Sequence, residues 1–117
     1  MNKREAGSRY ETYAAAYLKE KGYQIVERNF RSRAGEIDLI GREGRYLVFV
    51  EVKYRRDGQT GHPEEAVNVR KQNRIFRAAQ YYLSLKKYPQ DTPCRFDVLA
   101  VEGTEVRLIK NAFGGLA

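Results

Sequence analysis

The sequence predicts an α/β fold in which a mixed sheet of about five strands carries one helix on each face. Apolar residues recur at helical spacing in two segments, and apolar runs typical of strands fill the rest of the chain. The resulting order is helix, three strands, helix, two strands. One crossover through the second helix joins the third and fourth strands, so these two should be parallel and the crossover right-handed.

Length and composition are those of one domain, residues 1–117, with 42% hydrophobic residues to fill one core. The longest apolar run is about six residues, too short to span a membrane. The N-terminal residues lack the apolar core of a secretory signal. Cys94 is the only cysteine, which excludes an internal disulfide. We therefore expect a cytoplasmic protein that does not enter a membrane.

The formal charge of +7 is unevenly distributed along the chain. No acidic residue lies between positions 66 and 90, whereas the basic residues of this segment are Arg70, Lys71, Arg74, Arg77, Lys86 and Lys87. Such a surface suggests a polyanionic partner, with nucleic acid ahead of an anionic membrane surface. A solvated helix face explains the same charge equally well.

The first helix is predicted over residues 8–21. Ser8 can cap it, Glu11 stands three residues later as in a capping box, and Gly22 ends it. Glu11 also shares a helical stripe with Ala14 and Leu18, which would direct it toward the sheet. Both roles of Glu11 are open at this point.

The predicted strands cover residues 23–31, 36–42, 45–54, 95–101 and 105–110. The second and third strands form a hairpin about Gly44, and the last two pair across Gly103. Pro63 and the acidic pair Glu64–Glu65 open the second helix, which runs to about residue 87. Gln72 is the one polar residue among the core positions of that helix.

Charged residues interrupt the apolar hairpin strands. Period-two alternation places Glu51 and Lys53 on one face, and puts Asp38 on a face with Glu36 and Ile40. Counting from the turn pairs Glu51 with position 38. Oxygen ligands favour Mg²⁺ or Mn²⁺, and a lysine beside them can orient water or neutralise a phosphate, as phosphodiester hydrolysis requires. A structural salt-bridge cluster explains the spacing equally well.

The motifs GEIDLI, with Asp38, and Glu51-Val52-Lys53 resemble the signature of PD-(D/E)XK nucleases, although Ile37 stands where the signature has proline. More closely, the chain resembles the YraN-like family of small bacterial proteins, which is related to archaeal Holliday-junction resolvases. The stretches that carry this resemblance are ETYAAAYLKEKGYQIVERNFR, GEIDLI, VFVEVKYR, GHPEEAVNVRKQNRI and RFDVLAV.

This resemblance implies a three-layer restriction-endonuclease-like fold and metal-dependent cleavage of DNA. It implies that the ligands of Mg²⁺ or Mn²⁺ are Asp38, Glu51, the backbone carbonyl of Val52 and Glu11. Lys53 matches the catalytic lysine, and Gln72 matches a polar residue that faces the site from the second helix. Glu36 is expected to pair with an arginine instead.

Candidate phosphate contacts surround the predicted site: Arg31, Arg33, Arg55, Arg56, Arg70, Lys71 and Arg74. Each of them is also explained as a solvated charge. The predicted function is a metal-dependent DNA endonuclease, with branched DNA as a candidate substrate and a homodimer as the arrangement that would supply two active sites. The alternatives are a nucleic-acid-binding protein that keeps this fold without catalysis, and an RNA-directed nuclease.

Overall fold

The computed structural model describes residues 3–55 and 67–114, with side chains for residues 10–54 and 67–114. Its helices and strands, in chain order, are α1 (Lys3–Glu20), β1 (Gln24–Arg31), β2 (Glu36–Glu43), β3 (Tyr46–Arg55), α2 (Val69–Leu85), β4 (Cys94–Glu102) and β5 (Glu105–Ile109). The predicted order of the elements is therefore confirmed. Neither described helix combines the length and apolar character needed to cross a membrane.

The five strands form one sheet in the order β1-β2-β3-β4-β5. Only β3 and β4 run parallel; the other neighbours are antiparallel. The β2–β3 hairpin turns at Gly44, which has a positive φ of 59°, and Leu39 lies opposite Val50. Counting one residue further along this register gives the predicted match of position 38 with Glu51, although the pairing itself ends at Leu39 and Val50.

Each face of the sheet packs against one helix. On the α1 face, Leu18 packs in a buried cluster with Val48 and Val50 of β3. On the α2 face, Phe49 of β3 and Tyr82 of α2 meet edge to face, with ring centroids 6.1 Å apart. The side chains of β3 thus alternate between two cores, and each fully buried side chain contributes about 1.5–3 kcal/mol. The architecture is a three-layer α/β/α fold.

Helix α2 begins later than the sequence predicts. Asn68, in an extended conformation, caps it by accepting a hydrogen bond from the N–H of Lys71 at 2.9 Å. Val67 precedes it outside any helix, so a continuous helix from Pro63 is wrong; residues 63–66 lie outside the described residues. The reason is local, because an asparagine side chain that binds the backbone competes with helix continuation. Val69 is accordingly 69% exposed and does not join the buried stripe.

A network of charged groups lies beneath the turn end of the hairpin. Asp97 is fully buried and accepts hydrogen bonds from Arg95, the Tyr23 hydroxyl and the N–H of Asn111, at 2.7–2.9 Å. Arg95 also pairs with Glu43 at 2.6 Å. A buried carboxylate is stable only with such partners, so this network holds β2, β4 and the chain after β5 together.

Replacing Arg95 should therefore destabilise the fold strongly. Arg95→Ala leaves the Asp97 carboxylate buried without its cation, and we expect the free energy of unfolding to fall by about 3–5 kcal/mol. Urea denaturation measures the change. The control is Arg107→Ala, at an exposed position of β5, which should stay within about 0.5 kcal/mol of wild type. Equal losses in the two variants would contradict a structural role for the buried pair.

Candidate functional site

Asp38 lies where the sheet forks. Backbone pairing between β2 and β3 ends at Leu39 and Val50, whereas β3 continues beside β4 as far as Arg55. At the point of separation, the Asp38 carboxylate accepts a hydrogen bond from the N–H of Val52 at 2.8 Å. The side chain thus replaces a strand partner for β3 and satisfies a backbone donor that β2 no longer reaches.

The alternation of β2 breaks at the same residue. Ile37 packs in the α2-side core and Leu39 in the α1-side core, although residues two apart in a regular strand share a face. On the neighbouring strand, Asn29 lies between the residues paired with Leu39 and Ile37 and has a positive φ of 54°. Asp38 lines cavities on both sides of the sheet. Regular alternation therefore fails in β2, but Asp38, Glu36 and Ile40 all reach the α2 side, as the sequence predicts; only Asp38 also lines the α1-side cavity.

Glu51 is held between two lysines on the α2 side. Its side chain is only 8% exposed, and its Oε1 lies 2.7 Å from Nζ of Lys71 and 3.7 Å from Nζ of Lys53. Lys71 comes from the first turn of α2, and Lys53 from β3 itself. A carboxylate this deeply buried needs cationic partners, and here it has two.

The charges of the site act on one another. Burial and the Glu51 carboxylate raise the pKa of Asp38 to about 7, against the opposing effects of the Val52 N–H and Lys71. Burial and the neighbouring Lys71 lower the pKa of Lys53. Burial tends to lower the pKa of Lys71, but the contact with the Glu51 carboxylate outweighs that effect and raises the pKa. The two carboxylates repel each other, and a cation between them would relieve the repulsion.

A cavity of about 600 Å³ opens on the α2 side of Asp38 and Glu51. Its opposite wall is basic and consists of Arg70, Lys71 and Arg74 from the first turns of α2. Gly35 of the β1–β2 loop closes one end. A Cβ at this glycine would lie 3.3 Å from the Cβ and carbonyl oxygen of Arg74, a tight contact that would push the loop and the helix slightly apart. The cavity is therefore lined by carboxylates from the sheet on one side and by cationic side chains from α2 on the other.

Glu11 approaches the site from the α1 side. It lines a cavity of about 120 Å³ with Asp38, Val52 and two tyrosines, and its charge helps to raise the pKa of Asp38. Helix α1 begins at Lys3, so Ser8 lies inside the helix and the capping-box interpretation is wrong. The helix extends further toward the N-terminus than its local capping signal indicates. Glu11 lies on the sheet-facing side of α1, as its stripe predicts.

Gln72 has a different contact from the one predicted. Its side-chain nitrogen donates to the carbonyl of Val67 at 2.8 Å, which ties it to the chain before α2. Its neighbour Lys71 is the side chain from this turn that reaches Glu51. The sequence predicts only a phosphate contact for Lys71. The missed signal is its position four residues before the buried Ile75, which places both on one side of the helix.

The predicted phosphate contacts divide into three groups. Arg70, Lys71 and Arg74 line the larger cavity. Arg31 and Arg33 are exposed near the start of β2, and Arg31 lies 3.5 Å from Glu36, which confirms the expected arginine partner of that glutamate. The side chain of Arg55 and all of Arg56 lie outside the described residues.

The donor set decides which kind of metal site fits. Among side chains of residues 10–54 and 67–114, no group of three His, Cys, Asp or Glu could hold a metal ion. Asp38 and Glu51 provide two carboxylates, and Mg²⁺ is commonly held by one or two carboxylates together with waters and substrate phosphates. The described residues therefore fit a hard divalent cation bound in this open manner, and among them no all-protein cage is formed.

Fold and site together define a small α/β protein with a carboxylate–lysine site in a basic cavity at a fork of its sheet. The chain belongs to the uncharacterised protein family UPF0102, whose sequence profile matches residues 10–101. This result confirms the resemblance at the level of the family. The matched range includes Glu11, Asp38, Glu51, Lys53 and Gln72.

Its relatives match over almost their whole length. A UPF0102 protein of Lachnoclostridium phytofermentans is 57% identical over 113 residues, which cover 97% of this chain and 96% of that protein. One from Acetivibrio thermocellus is 51% identical, covering 96% and 93% of the two chains. One from Caldicellulosiruptor saccharolyticus is 44% identical, covering 97% and 100%.

Asp38→Asn should stabilise the metal-free protein more at alkaline pH than at acidic pH. A carboxyl with a pKa of 3.8 when unfolded and about 7 when folded binds more protons in the folded state between these values. Wild type therefore loses stability as pH rises through this window, whereas asparagine keeps an oxygen for Val52 and carries no charge. The advantage of the variant should grow by up to about 3 kcal/mol between about pH 5 and about pH 8.

Urea unfolding in EDTA at the two pH values measures this difference. Asp91→Asn, at an exposed position, is the control and should show no pH-dependent gain. An advantage of Asp38→Asn that is equal at both pH values would show that Asp38 is already ionised throughout the range.

Proposed function

We propose that this protein is a divalent-metal-dependent endonuclease that hydrolyses phosphodiester bonds in DNA. The observation that carries the proposal is the position of Glu51, almost buried between Lys53 and Lys71 and next to a second carboxylate, at the floor of an open basic cavity. Convergent ionisable groups with shifted pKa values in a cavity are typical of a catalytic site. Branched DNA is a candidate substrate, and a twofold homodimer would present two sites to a symmetric junction.

Asp38 and Glu51 would hold Mg²⁺ or Mn²⁺. The family resemblance adds the Val52 carbonyl and Glu11 as oxygen donors, although Glu11 does not form a three-acid group with them in the described residues. Once bound, the cation would supply Lewis-acid polarisation of the phosphate and a more acidic bound water. The hydrogen bond from Val52 restricts one oxygen of Asp38, so the orientation of that carboxylate is set before any ligand arrives.

Lys53 would act on the reacting phosphate from β3. It belongs to the same strand as Glu51, and its ammonium lies 3.7 Å from that carboxylate. An ammonium in this position can orient the attacking water or donate hydrogen bonds to phosphate oxygens as negative charge develops on them. Its position on a strand makes the arrangement rigid.

The basic residues of α2 that line the cavity would bind the phosphates of the nucleic-acid backbone. Arg70, Lys71 and Arg74 face the carboxylates across the cavity, where a phosphate between the two walls would meet guanidinium and ammonium donors. The formal charge of +7 adds a general attraction to polyanions. These contacts do not depend on the sugar, so an RNA-directed nuclease would use the same wall.

One observation favours the non-catalytic alternative. The 2.7 Å contact between Lys71 and Glu51 neutralises a carboxylate, as a structural ion pair would. A nucleic-acid-binding protein could keep this fold and this cavity without turnover. Cleavage and binding must therefore be measured together.

Cleavage should require a divalent cation and both Glu51 and Lys53. The full chain is incubated with supercoiled, linear and four-way-junction DNA, and with matched RNA, in Mg²⁺, Mn²⁺ or EDTA. Glu51→Gln and Lys53→Ala should each lower the cleavage rate by roughly 100-fold or more. Glu105→Gln and Lys19→Ala, at exposed positions away from the cavity, are the charge-matched controls and should cleave like wild type.

Cleavage that survives both site substitutions would refute the proposed mechanism. Tight binding without metal-dependent cleavage of any substrate would establish the non-catalytic alternative. Preferential cleavage of the matched RNA would show that the substrate is RNA and not DNA.

Removing the ammonium of Lys71 should strengthen cation binding. Lys71→Met frees Glu51 Oε1 from a 2.7 Å ion pair, and we expect roughly tenfold tighter binding of Mn²⁺ in isothermal titration calorimetry. Arg74→Met removes one positive charge from the same cavity wall and is the control. An equal gain in both variants would reflect general charge in the cavity instead of competition for Glu51.

A further inference from the structure

Three tyrosines cluster on the α1 side of the fork. The rings of Tyr10 from α1 and Tyr54 from β3 stack with centroids 4.0 Å apart and an interplanar angle of 22°. Tyr13, three residues after Tyr10 and therefore on the same side of the helix, is 51% exposed, and Tyr54 is 46% exposed. Aromatic rings thus remain accessible to solvent directly beside the residues of the proposed active site.

Two cavities meet at Tyr10. The smaller one, of about 120 Å³, reaches Asp38, Val52 and Tyr54. The other, of about 320 Å³, extends past Tyr13 to Gly103 of the β4–β5 turn. Because Tyr10 lines both, the two cavities lie side by side along α1, from Asp38 to Gly103, and together they are called the α1-side path.

The two sides of the fork differ in chemistry. The α2-side cavity has arginine and lysine on its wall, and it suits phosphates. None of the described residues that line the α1-side path is basic; they are tyrosines, small or aliphatic residues and the carboxylates Glu11 and Asp38. Without a bound cation these carboxylates repel a phosphate, whereas the planar face of a neutral nucleobase can stack on a tyrosine ring.

We propose that Tyr10, Tyr13 and Tyr54, the tyrosine platform, stack unpaired nucleobases of the DNA strand next to the scissile phosphate. Lys53 and Tyr54 are consecutive residues of β3 and project to opposite faces of the sheet. A strand that crosses the fork would place its phosphate on the α2 side and the adjoining base on the α1 side. Bases paired in a duplex cannot expose their faces in this way, so the platform selects unpaired nucleotides.

This inference rests on the proposed function for the position of the cleaved phosphate, and it narrows the substrate to DNA with unpaired nucleotides at the cut. Single strands, flaps and open junction centres meet that requirement, whereas a continuous duplex does not.

Metal-free binding measurements test the platform separately from catalysis. Fluorescence anisotropy in EDTA measures the affinity of the full chain for three labelled ligands of equal length: single-stranded DNA, a single strand with abasic sites in place of its central bases, and a blunt duplex. Tyr54→Leu should weaken binding of the intact single strand about tenfold and leave the abasic strand and the duplex within about twofold of wild type. Tyr54→Phe keeps the ring and should restore wild-type affinity.

Tyr13→Leu is the second platform variant, because its exposed side chain can be replaced without disturbing the stacked pair, and it should weaken the intact strand selectively as well. Tyr81→Leu, at an exposed tyrosine of α2, is the matched control and should change nothing. Equal weakening of the abasic strand or the duplex in the platform variants, or unchanged binding of the intact strand, would overturn the proposal. The matched RNA could bind more tightly than the DNA strand and depend equally on the tyrosines. That result would overturn the assignment of the tyrosine platform to DNA.

The failure of the platform and the failure of the nuclease proposal give different results. Metal-dependent cleavage that is indifferent to Tyr54→Leu would retain the endonuclease and refute the platform. Tyrosine-dependent binding without cleavage in any metal would support the platform and refute the endonuclease.

Discussion

The hydrogen bond from the N–H of Val52 to the Asp38 carboxylate is the interaction on which the site depends. It lets β3 leave its antiparallel partner and continue beside β4 without an unsatisfied amide at the fork. Because β2 no longer covers this end of β3, Glu51 lies beside a cavity, and Lys53 lies 3.7 Å from its carboxylate. The same carboxylate thus stabilises the fork and contributes an oxygen to the site that the fork creates.

Two buried carboxylates show how differently this fold treats negative charge. Asp97 is fully enclosed, and its oxygens are bound by Arg95, the hydroxyl of Tyr23 and a backbone N–H, which is the arrangement of a structural ion pair. Glu51 instead borders a cavity and lies near the Asp38 carboxylate. It forms ion pairs with Lys53 and Lys71, which a ligand could displace. In the second arrangement, the electrostatic free energy of the charged groups can still contribute to the binding of a ligand. This is why the functional site is proposed at Glu51.

Much of the fold could be predicted because its signals are local. The turn at Gly44 sets the hairpin register by simple counting, and alternation assigned the faces of β3 correctly. The errors lie where local signals compete. Ser8 resembles a helix cap although α1 continues before it, and Asn68 begins α2 after Pro63 suggested an earlier start. The break in alternation at Asp38 accompanies an irregular conformation in the neighbouring strand, which period-two counting cannot include.

The sequence by itself determined the order of the elements, the parallel pair, the family, and the residues Asp38, Glu51 and Lys53 as the ones that required an explanation. Only the tertiary structure decided that Lys71 reaches Glu51 and that Tyr10 stacks on Tyr54. Both contacts join a helix to β3. They depend on how each helix is rotated and seated over the sheet, which the packing of the two cores sets and the period of an isolated segment does not.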